Sequence, residues 1–208
     1  MAKANEFNVR KLGVEDYLTT FSNMQQFVLN HLPEEKSEIW FVQHPPVYTQ
    51  GTACASQTLV PSEIPIVKSD RGGQITYHGP GQVIMYVLLD IKRYDLTVKS
   101  LVTLLEEVSI MTLFDYGIEG VRREGAPGVY VDEKKVSALG LRFKRGMSYH
   151  GLSLNVDMDL QPFANIDPCG YKGLEVTQIK ELLPNDKELI ECADIEHKLE
   201  KNLRALLL

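Results

Sequence analysis

RGGQITYHGPGQVIMYVLL, the stretch from Arg71 to Leu89, joins a glycine-rich segment to an unbroken apolar run. The run from Gln82 to Leu89 is typical of a buried strand, because it is short and rich in β-branched residues. The segment from Arg71 to Gln82 holds four glycines and one proline, so its backbone can approach a ligand closely and offer amide donors. It lacks the Gly-Lys-Ser/Thr of a phosphate loop and the third glycine of a dinucleotide fingerprint. We therefore expect a different kind of ligand loop, leading into a central strand.

The rest of the chain alternates between strand-like and helix-like patterns around this stretch. Apolar residues recur every three or four positions from Val14 to before Pro33, from Val98 to Met111 and from Asp186 to Leu208, which predicts three helices. Short apolar or alternating runs predict strands at 39–42, 64–68, 128–131, 135–143 and 151–157. This order predicts an α+β fold class, with helices packed on a mixed sheet. The length of 208 residues suits a single domain over residues 1–208.

Composition argues against several classes of function. The chain has 28 acidic and 22 basic residues and a net charge of −6, which disfavours a nucleic-acid-binding surface. Three cysteines and an N-terminal stretch without an apolar core favour a reducing compartment, and we expect a cytoplasmic protein. The longest apolar run, Val83 to Leu89, is far shorter than the ~20 residues of a membrane span. The histidines and cysteines show no metal-ligand spacing, so we expect no metal site.

Cys169 and Lys135 are the candidate catalytic pair. Cys169 stands between Pro168 and Gly170, a turn-like context that presents a side chain. A nearby ammonium group favours the thiolate, which is the nucleophilic form. Lys135 follows Lys134 in a predicted strand, where neighbours point to opposite faces, so only one of these lysines can face a site. Spacing alone leaves open an inert cysteine and a solvated lysine.

Other polar residues allow two interpretations. Cys192 is expected to be an inert residue of the C-terminal helix, and the role of Cys54 is undecided. His78 and His150 each precede a glycine and are placed either to orient a substrate or to be satisfied by structural hydrogen bonds. The basic cluster Arg142, Lys144 and Arg145 suits a solvated strand face or a docking surface for an acidic protein.

Five segments together resemble the octanoyl-acyl-carrier-protein:protein octanoyltransferases of lipoate biosynthesis. They are Arg71–Gln82, His44-Pro-Pro-Val-Tyr-Thr49, Lys135-Val-Ser-Ala-Leu-Gly140, His150-Gly-Leu-Ser-Leu-Asn155 and Pro168-Cys-Gly170, in the right order across roughly residues 38–179. The resemblance implies a biotin/lipoate-ligase-like catalytic fold with a mostly antiparallel sheet. It also implies transfer of an octanoyl group from octanoyl-acyl carrier protein to a lysine of lipoyl domains, in 2-oxoacid dehydrogenase complexes and the glycine cleavage H protein, without a cofactor.

The resemblance further implies roles for individual residues. Cys169 becomes the acyl-accepting nucleophile, and Lys135 the residue that lowers its pKa and shuttles a proton. Substrate contacts are implied for Arg71, Gly72, Gly73, Gln74, Ile75, Thr76, Tyr77, His78, Ala138, Leu139, Gly140, Gly151, Leu152 and Ser153.

Three alternatives remain at this point. An ATP-dependent lipoate-protein ligase would share the fold and the lysine but would not use a cysteine nucleophile. A non-catalytic acyl-binding domain would leave Cys169 with an ordinary pKa. A thiol hydrolase is disfavoured because it needs an activated water.

Overall fold

A computed structural model describes residues 6–54, 63–166, 174–183 and 190–207 of the chain. Within these residues, ten strands and four α-helices form two sheets with helices packed against them. The strands are β1 (Phe7–Val14), β2 (Ser37–Gln43), β3 (Val47–Gln50), β4 (Ile66–Lys68), β5 (Ile75–His78), β6 (Gln82–Leu88), β7 (Val121–Arg122), β8 (Gly128–Val131), β9 (Lys134–Lys144) and β10 (Met147–Asn155). The helices are α1 (Tyr17–Asn30), α2 (Val98–Phe114), α3 (Ile179–Leu182) and α4 (Cys192–Leu207), with a 3₁₀ helix at Gln161–Asn165.

The main sheet has seven strands in the order β1-β2-β6-β10-β9-β8-β7. Only β1 and β2 pair in parallel, and every other neighbouring pair in this sheet is antiparallel. A second sheet, β4-β3-β5, combines one parallel and one antiparallel pair. The prediction of a mixed, mostly antiparallel sheet flanked by helices is therefore confirmed.

The two faces of the main sheet are covered by different helices. Helices α2 and α4 pack on one face, where Leu105 and Leu199 join aliphatic side chains such as Val83. Helix α1 covers the other face, where Met24 packs near Tyr149. Two of the three long helices begin at side-chain caps: Thr97 forms a capping box with Ser100 at α2, and Asp16 accepts a bond from the Thr19 amide at α1.

Four of the described strands were not predicted: β1, β3, β5 and β7. Val14 was assigned to the first helix, but it ends β1, an edge strand whose outer residues are mostly exposed and polar. Residues Ile75–His78 were assigned to a loop, but they form β5 and pair with β3 in the second sheet. The predicted strands and helices are otherwise present with shifted ends. The predicted start of the C-terminal helix, at Asp186, is not tested, because residues 184–189 lie outside the described part of the chain. Among the helices that the structure describes, none has the length and apolar character to cross a membrane.

Candidate active site

A pocket opens between α1, the glycine-rich segment and the paired strands β9 and β10. We call it the glycine-loop pocket, and its wall is mostly apolar. The residues that line it are Tyr17, Arg71, Gly73, Gln74, Ile75, Thr76, His78, Ile84, Tyr86, Ala138, Leu139, Gly140, His150, Gly151, Leu152 and Ser153.

Three segments that were predicted to contact a substrate meet in this pocket. The antiparallel pairing of β9 with β10 places Gly140 opposite Gly151 and Ala138 opposite Ser153, and the glycine-rich segment closes over them. Two predicted residues do not line the pocket. Gly72 donates its amide to the Leu141 carbonyl at 2.9 Å, and the Tyr77 ring packs behind the second sheet against Tyr48 and Phe163.

Glycine at position 151 is required by the close approach of two strands. A Cβ atom there would lie 2.0 Å from the Met85 carbonyl oxygen of β6, which is backbone and cannot move aside cheaply. Gly151 also lines the pocket, so the same residue belongs to the packed sheet and to the pocket wall.

Arg71 is a buried cation in the wall of the pocket. Its guanidinium donates to the Thr49 carbonyl at 2.6 Å and to the Thr49 hydroxyl at 2.9 Å. It also donates to the Gly72 carbonyl at 3.0 Å, which ties the side chain to its own loop. These bonds fix the start of the glycine-rich segment against β3.

His78 and His44 are held by structural hydrogen bonds. His78 Nδ1 lies 2.7 Å from Gln82 Oε1, which can only accept, so His78 donates from Nδ1. His44 Nε2 lies 2.8 Å from the Tyr86 hydroxyl, and its Nδ1 faces the Glu15 carbonyl. Burial, with the neighbouring His44 adding to it, lowers the pKa of His78 to about 3. Burial also lowers the pKa of His44, so both imidazoles are neutral at pH 7.

His150 and Asp70 form a polar cluster at the α1 side of the pocket. His150 Nε2 lies 2.8 Å from Asp70 Oδ1, and the Tyr149 hydroxyl donates to Oδ2 at 2.5 Å. Neighbouring strand residues normally point to opposite faces, but His150 has a φ of 59°, and both side chains reach the same carboxylate. Burial opposes ionisation of Asp70, but the hydrogen bonds from His150 and Tyr149 outweigh it and lower the pKa of this carboxyl to about 2.

Lys135 lies at the other end of the site and is almost fully buried, with 3% of its surface exposed. Its Nζ donates to the Pro127 carbonyl at 3.1 Å and lies 5.1 Å from the centre of the Tyr130 ring. It lines a small cavity together with Phe163 and Val176, and that cavity shares Thr76, Ala138 and Ser153 with the glycine-loop pocket. The ammonium group therefore stands near one end of an apolar pocket.

The contrast between the two neighbouring lysines is as predicted. Lys134 is exposed and forms a surface ion pair with Glu175 at 3.1 Å, whereas Lys135 points inward. The backbone of Lys135 also pairs with residues 175–177. Its amide donates to the Glu175 carbonyl, and its carbonyl accepts from the Thr177 amide. Both bonds hold Lys135 in position at the end of the pocket.

The cysteines and the basic cluster complete the predicted set. Cys169 lies outside the described residues, so its predicted role stays a prediction. Cys54 is half-buried. Cys192 is a free thiol, and burial raises its pKa to about 11, as expected for an unreactive group. Arg142, Lys144 and Arg145 are exposed at the far end of β9.

Four residues of the site were not found from the sequence. Tyr17 and Tyr86 looked like core residues of a helix and a strand, yet both line the pocket, as does Ile84. Asp70 gave no signal other than its position before Arg71. The sequence signal that could have found them is Tyr17, a tyrosine among the apolar residues of the predicted first helix. Its hydroxyl indicates that this side of the helix faces a polar site.

Comparison with known proteins agrees with this geometry. The lipoyl protein ligase A/B catalytic domain matches residues 16–204 of the chain. An octanoyltransferase from Haemophilus influenzae is 51% identical over 205 residues, which cover 98% of this chain and 96% of the relative.

Solved structures show the same fold at low sequence identity. A putative lipoate protein ligase from T. acidophilum with bound lipoic acid superposes with a TM-score of 0.79 at 14% identity, covering 97% of this chain and 85% of that one. A biotin protein ligase from Aquifex aeolicus gives a TM-score of 0.61 at 13% identity, covering 96% and 70%. The predicted biotin/lipoate-ligase-like fold is thereby confirmed. With half of its residues identical to a relative matched along almost its whole length, the chain belongs to the octanoyltransferase family and carries the lipoyl protein ligase A/B catalytic domain.

Proposed function

We propose that the protein is an octanoyltransferase that moves an octanoyl group from octanoyl-acyl carrier protein to a lysine of a lipoyl domain, through a thioester on Cys169. The observation that carries the proposal is the buried Lys135 ammonium at one end of an apolar pocket formed by the three predicted segments. Membership of the octanoyltransferase family supplies the reaction class.

The apolar wall of the pocket suits a medium-length acyl chain. At about 0.8 kcal/mol per buried methylene, the tail of an octanoyl group contributes roughly 5 kcal/mol to binding. Glycines 73, 140 and 151 let this chain lie close to backbone. The donor then binds through its tail, while its thioester lies at the Lys135 end.

In the first half-reaction, the Cys169 thiolate attacks the thioester carbonyl carbon. The bond from that carbon to the carrier's sulfur breaks, and the departing thiolate takes a proton from the Lys135 ammonium. The positive charge of Lys135 favours the Cys169 thiolate before the attack. One acyl group has then passed from sulfur to sulfur.

In the second half-reaction, the amine of the acceptor lysine attacks the acyl-cysteine. A carbon–nitrogen bond forms, the Cys169 thiolate leaves, and the neutral Lys135 amine takes the proton that the attacking amine loses. This step restores both groups to their starting states.

Support for the pairing of Cys169 with Lys135 comes from the residues on either side of residues 167–173. Phe163, which precedes this stretch, and Val176, which follows it, line the same small cavity as Lys135. Val176 also forms a β-bridge with Lys135. Cys169 is therefore connected on both sides to residues at the Lys135 end of the pocket.

A transfer assay without ATP tests the proposal. Purified protein is incubated with octanoyl-acyl carrier protein and a lipoyl domain, and the mass of the lipoyl domain is followed with time. We expect one octanoyl group to be added to wild-type acceptor and none to an acceptor whose target lysine is replaced by arginine. Transfer that requires ATP and free octanoate would instead identify a ligase, and no transfer under either condition would favour an acyl-binding domain.

A further inference from the structure

Glu106 is a buried carboxylate in the middle of α2, with only 7% of its surface exposed. The neighbouring buried positions of this helix are mostly apolar, and Leu105 and Val108 are fully buried. Burying a carboxylate opposes folding unless its oxygens are paired with hydrogen-bond donors or cations. The contacts of Glu106 therefore indicate why an ionisable group lies at this place in the helix.

The two oxygens of Glu106 have different partners. Oε2 accepts from Arg122 Nε at 3.2 Å, and the same arginine also pairs with Glu107. Oε1 accepts from the backbone amide of Gly128 at 3.0 Å. The pair with Arg122 connects the short strand β7 to α2, but it accounts for Oε2 alone. The bond from Gly128 connects Glu106 to the active site.

The Gly128 amide and the Pro127 carbonyl belong to one peptide unit. The amide donates to Glu106, and the carbonyl accepts from Lys135 Nζ at 3.1 Å. A peptide unit is planar, so a bond that fixes the direction of its amide also fixes the direction of its carbonyl. Hydrogen bonds in a chain polarise one another, so a carboxylate at the amide makes the carbonyl a better acceptor for an ammonium group.

The same peptide unit is in direct contact with the end of the Lys135 side chain. Gly128 has a φ of 139°, and a Cβ atom added to it would lie 3.0 Å from Lys135 Cε and 3.3 Å from Nζ. On its other side, the segment is held by the Tyr130 hydroxyl, which donates to the Ala126 carbonyl at 3.0 Å. The position of the ammonium group therefore depends on the 126–128 segment, which Glu106 and Tyr130 hold from two sides.

We propose that Glu106 is a positioning residue for Lys135, acting through the peptide unit of Pro127 and Gly128. The proposal rests on the proposed octanoyl transfer, in which Lys135 gives and takes a proton. Glu106 lines neither the glycine-loop pocket nor the small cavity at Lys135, so we expect it to change the rate of reaction and not the binding of the acyl chain. Misplacing a catalytic group by about 1 Å can lower a rate about 100-fold.

Three variants separate the bond with Gly128 from the other contacts of this part of α2. Glu106→Leu removes both pairings of the carboxylate. Glu106→Gln keeps an oxygen that can accept from the Gly128 amide and removes the charge. Glu107→Gln is the matched control, because Glu107 is the next residue and pairs with the same arginine, whereas the Gly128 amide donates to Glu106.

The first readout is the single-turnover acylation of Cys169 by octanoyl-acyl carrier protein, followed by intact-protein mass spectrometry. We expect the rate constant at saturating donor to fall about 10- to 100-fold in Glu106→Leu, to stay within about threefold of wild type in Glu106→Gln, and to be unchanged in Glu107→Gln. The donor concentration that gives half of the maximal rate should be the same in all four proteins. A purely structural role would lower the unfolding free energy and leave the rate per folded molecule unchanged.

A double-mutant cycle with Lys135→Met tests whether the effect passes through Lys135. Its readout is the rate at which iodoacetamide alkylates Cys169, measured on the peptide that contains this cysteine, because alkylation needs a thiolate but no acyl donor. We expect Glu106→Leu to slow alkylation when Lys135 is present and to have no further effect in the Lys135→Met background, since residues that act in series are not additive.

Two results would overturn the proposal alone. One is a wild-type acylation rate in Glu106→Leu beside a slow Lys135→Met, and the other is an equal loss from Glu106→Leu in both backgrounds of the cycle. If Glu106→Leu does not fold, Glu106→Asp replaces it, because aspartate keeps the charge for Arg122 and shortens the reach to Gly128 by one methylene. An acylation rate within about threefold of wild type in that variant would then reject the proposal.

Failure of the proposed function gives a different result. If Lys135→Met is acylated and alkylated at wild-type rates, the pairing of Cys169 with Lys135 is wrong, and the role of Glu106 is rejected with it. If wild type is not acylated at all, octanoyl transfer fails, and the alkylation cycle decides the role of Glu106 by itself. Non-additive losses in that cycle support the role, and additive losses or none reject it.

Discussion

The two faces of the main sheet differ in what they bury. Under α2 and α4 the buried side chains are mostly apolar, with polar pairs such as Ser109 with Ser137 and one buried carboxylate, Glu106, paired with Arg122. Under α1 and the second sheet, the structure buries Arg71 and three histidines. Burying polar groups opposes folding unless each is paired, so the second face is stabilised by its hydrogen bonds and the first by apolar area. The comparison predicts that substitutions on the face under α2 and α4 change mainly stability, and that substitutions on the face under α1 and the second sheet change activity.

The largest expected effect is on catalysis, at the Lys135 end of the pocket. We expect Lys135→Met to lower the transfer rate at least 100-fold, because general acid–base groups contribute about 10²- to 10⁴-fold. Lys134→Met is the matched control, since it removes the neighbouring lysine, which is exposed, and should keep near wild-type rates. Steady-state transfer assays measure both, and circular dichroism checks that both variants are folded. Equal losses in the two variants would remove Lys135 from the mechanism.

The next effect is on stability alone, at the aliphatic face. Leu105 is fully buried between α2 and the sheet, so Leu105→Ala should lower the free energy of unfolding by about 2–5 kcal/mol. Urea denaturation gives this value. The rate of transfer per folded molecule should stay close to that of wild type, and a large change in it would show that the two faces are not separate in function.

A smaller effect, on both stability and activity, is expected for the polar cluster of Asp70, Tyr149 and His150. Asp70→Asn removes the carboxylate that Tyr149 and His150 share, and we expect a loss of about 1–3 kcal/mol in unfolding free energy. Because His150 lines the pocket, the KM for the donor should rise as well. Tyr149→Phe, which leaves the Asp70–His150 bond intact, is the milder comparison. If Tyr149→Phe lost the full 1–3 kcal/mol of unfolding free energy and Asp70→Asn lost none, this assignment of the cluster would be contradicted.

The smallest expected effect is a pH dependence of stability that comes from the polar face. The pKa of His78 is lowered by burial from 6.5 to about 3, so below pH 6.5 the unfolded chain binds a proton that the folded protein does not. Stability from this group is complete above pH 6.5 and is lost progressively as the pH falls toward 3.

His78→Gln should therefore flatten the decline of the unfolding free energy between pH 7 and pH 5, and urea titrations at three pH values measure this slope. His197→Gln changes an exposed histidine of α4 and serves as the control. A slope that is the same in all three proteins would show that His78 does not contribute to it.

Much of the fold follows from local sequence. Strands β8 and β9 are predicted by their short apolar or alternating runs, and α2 by its apolar spacing. Strand β1 was missed because it is a largely polar edge strand, whose partner β2 lies far along the chain. Strand β5 was missed because glycines flank it, and only pairing with β3 makes it a strand.

The site was predicted in part, and the reason is physical. The segments that form the pocket have distinctive sequences, so the glycine-rich segment and the two strands were identified. The polar cluster depends on the φ of 59° at His150, which brings two neighbouring side chains to Asp70. No local pattern predicts that conformation in a non-glycine strand residue, because it is set by the surrounding tertiary contacts.

Intact-protein mass spectrometry tests the central claim most directly. Wild type and Cys169→Ser are mixed briefly with octanoyl-acyl carrier protein in the absence of ATP and of any lipoyl domain, and their masses are measured. We predict one octanoyl increment on wild type only, removed by hydroxylamine and discharged when a lipoyl domain is added. An increment of equal size on Cys169→Ser, or transfer to the lipoyl domain at wild-type rate by that variant, would contradict the account.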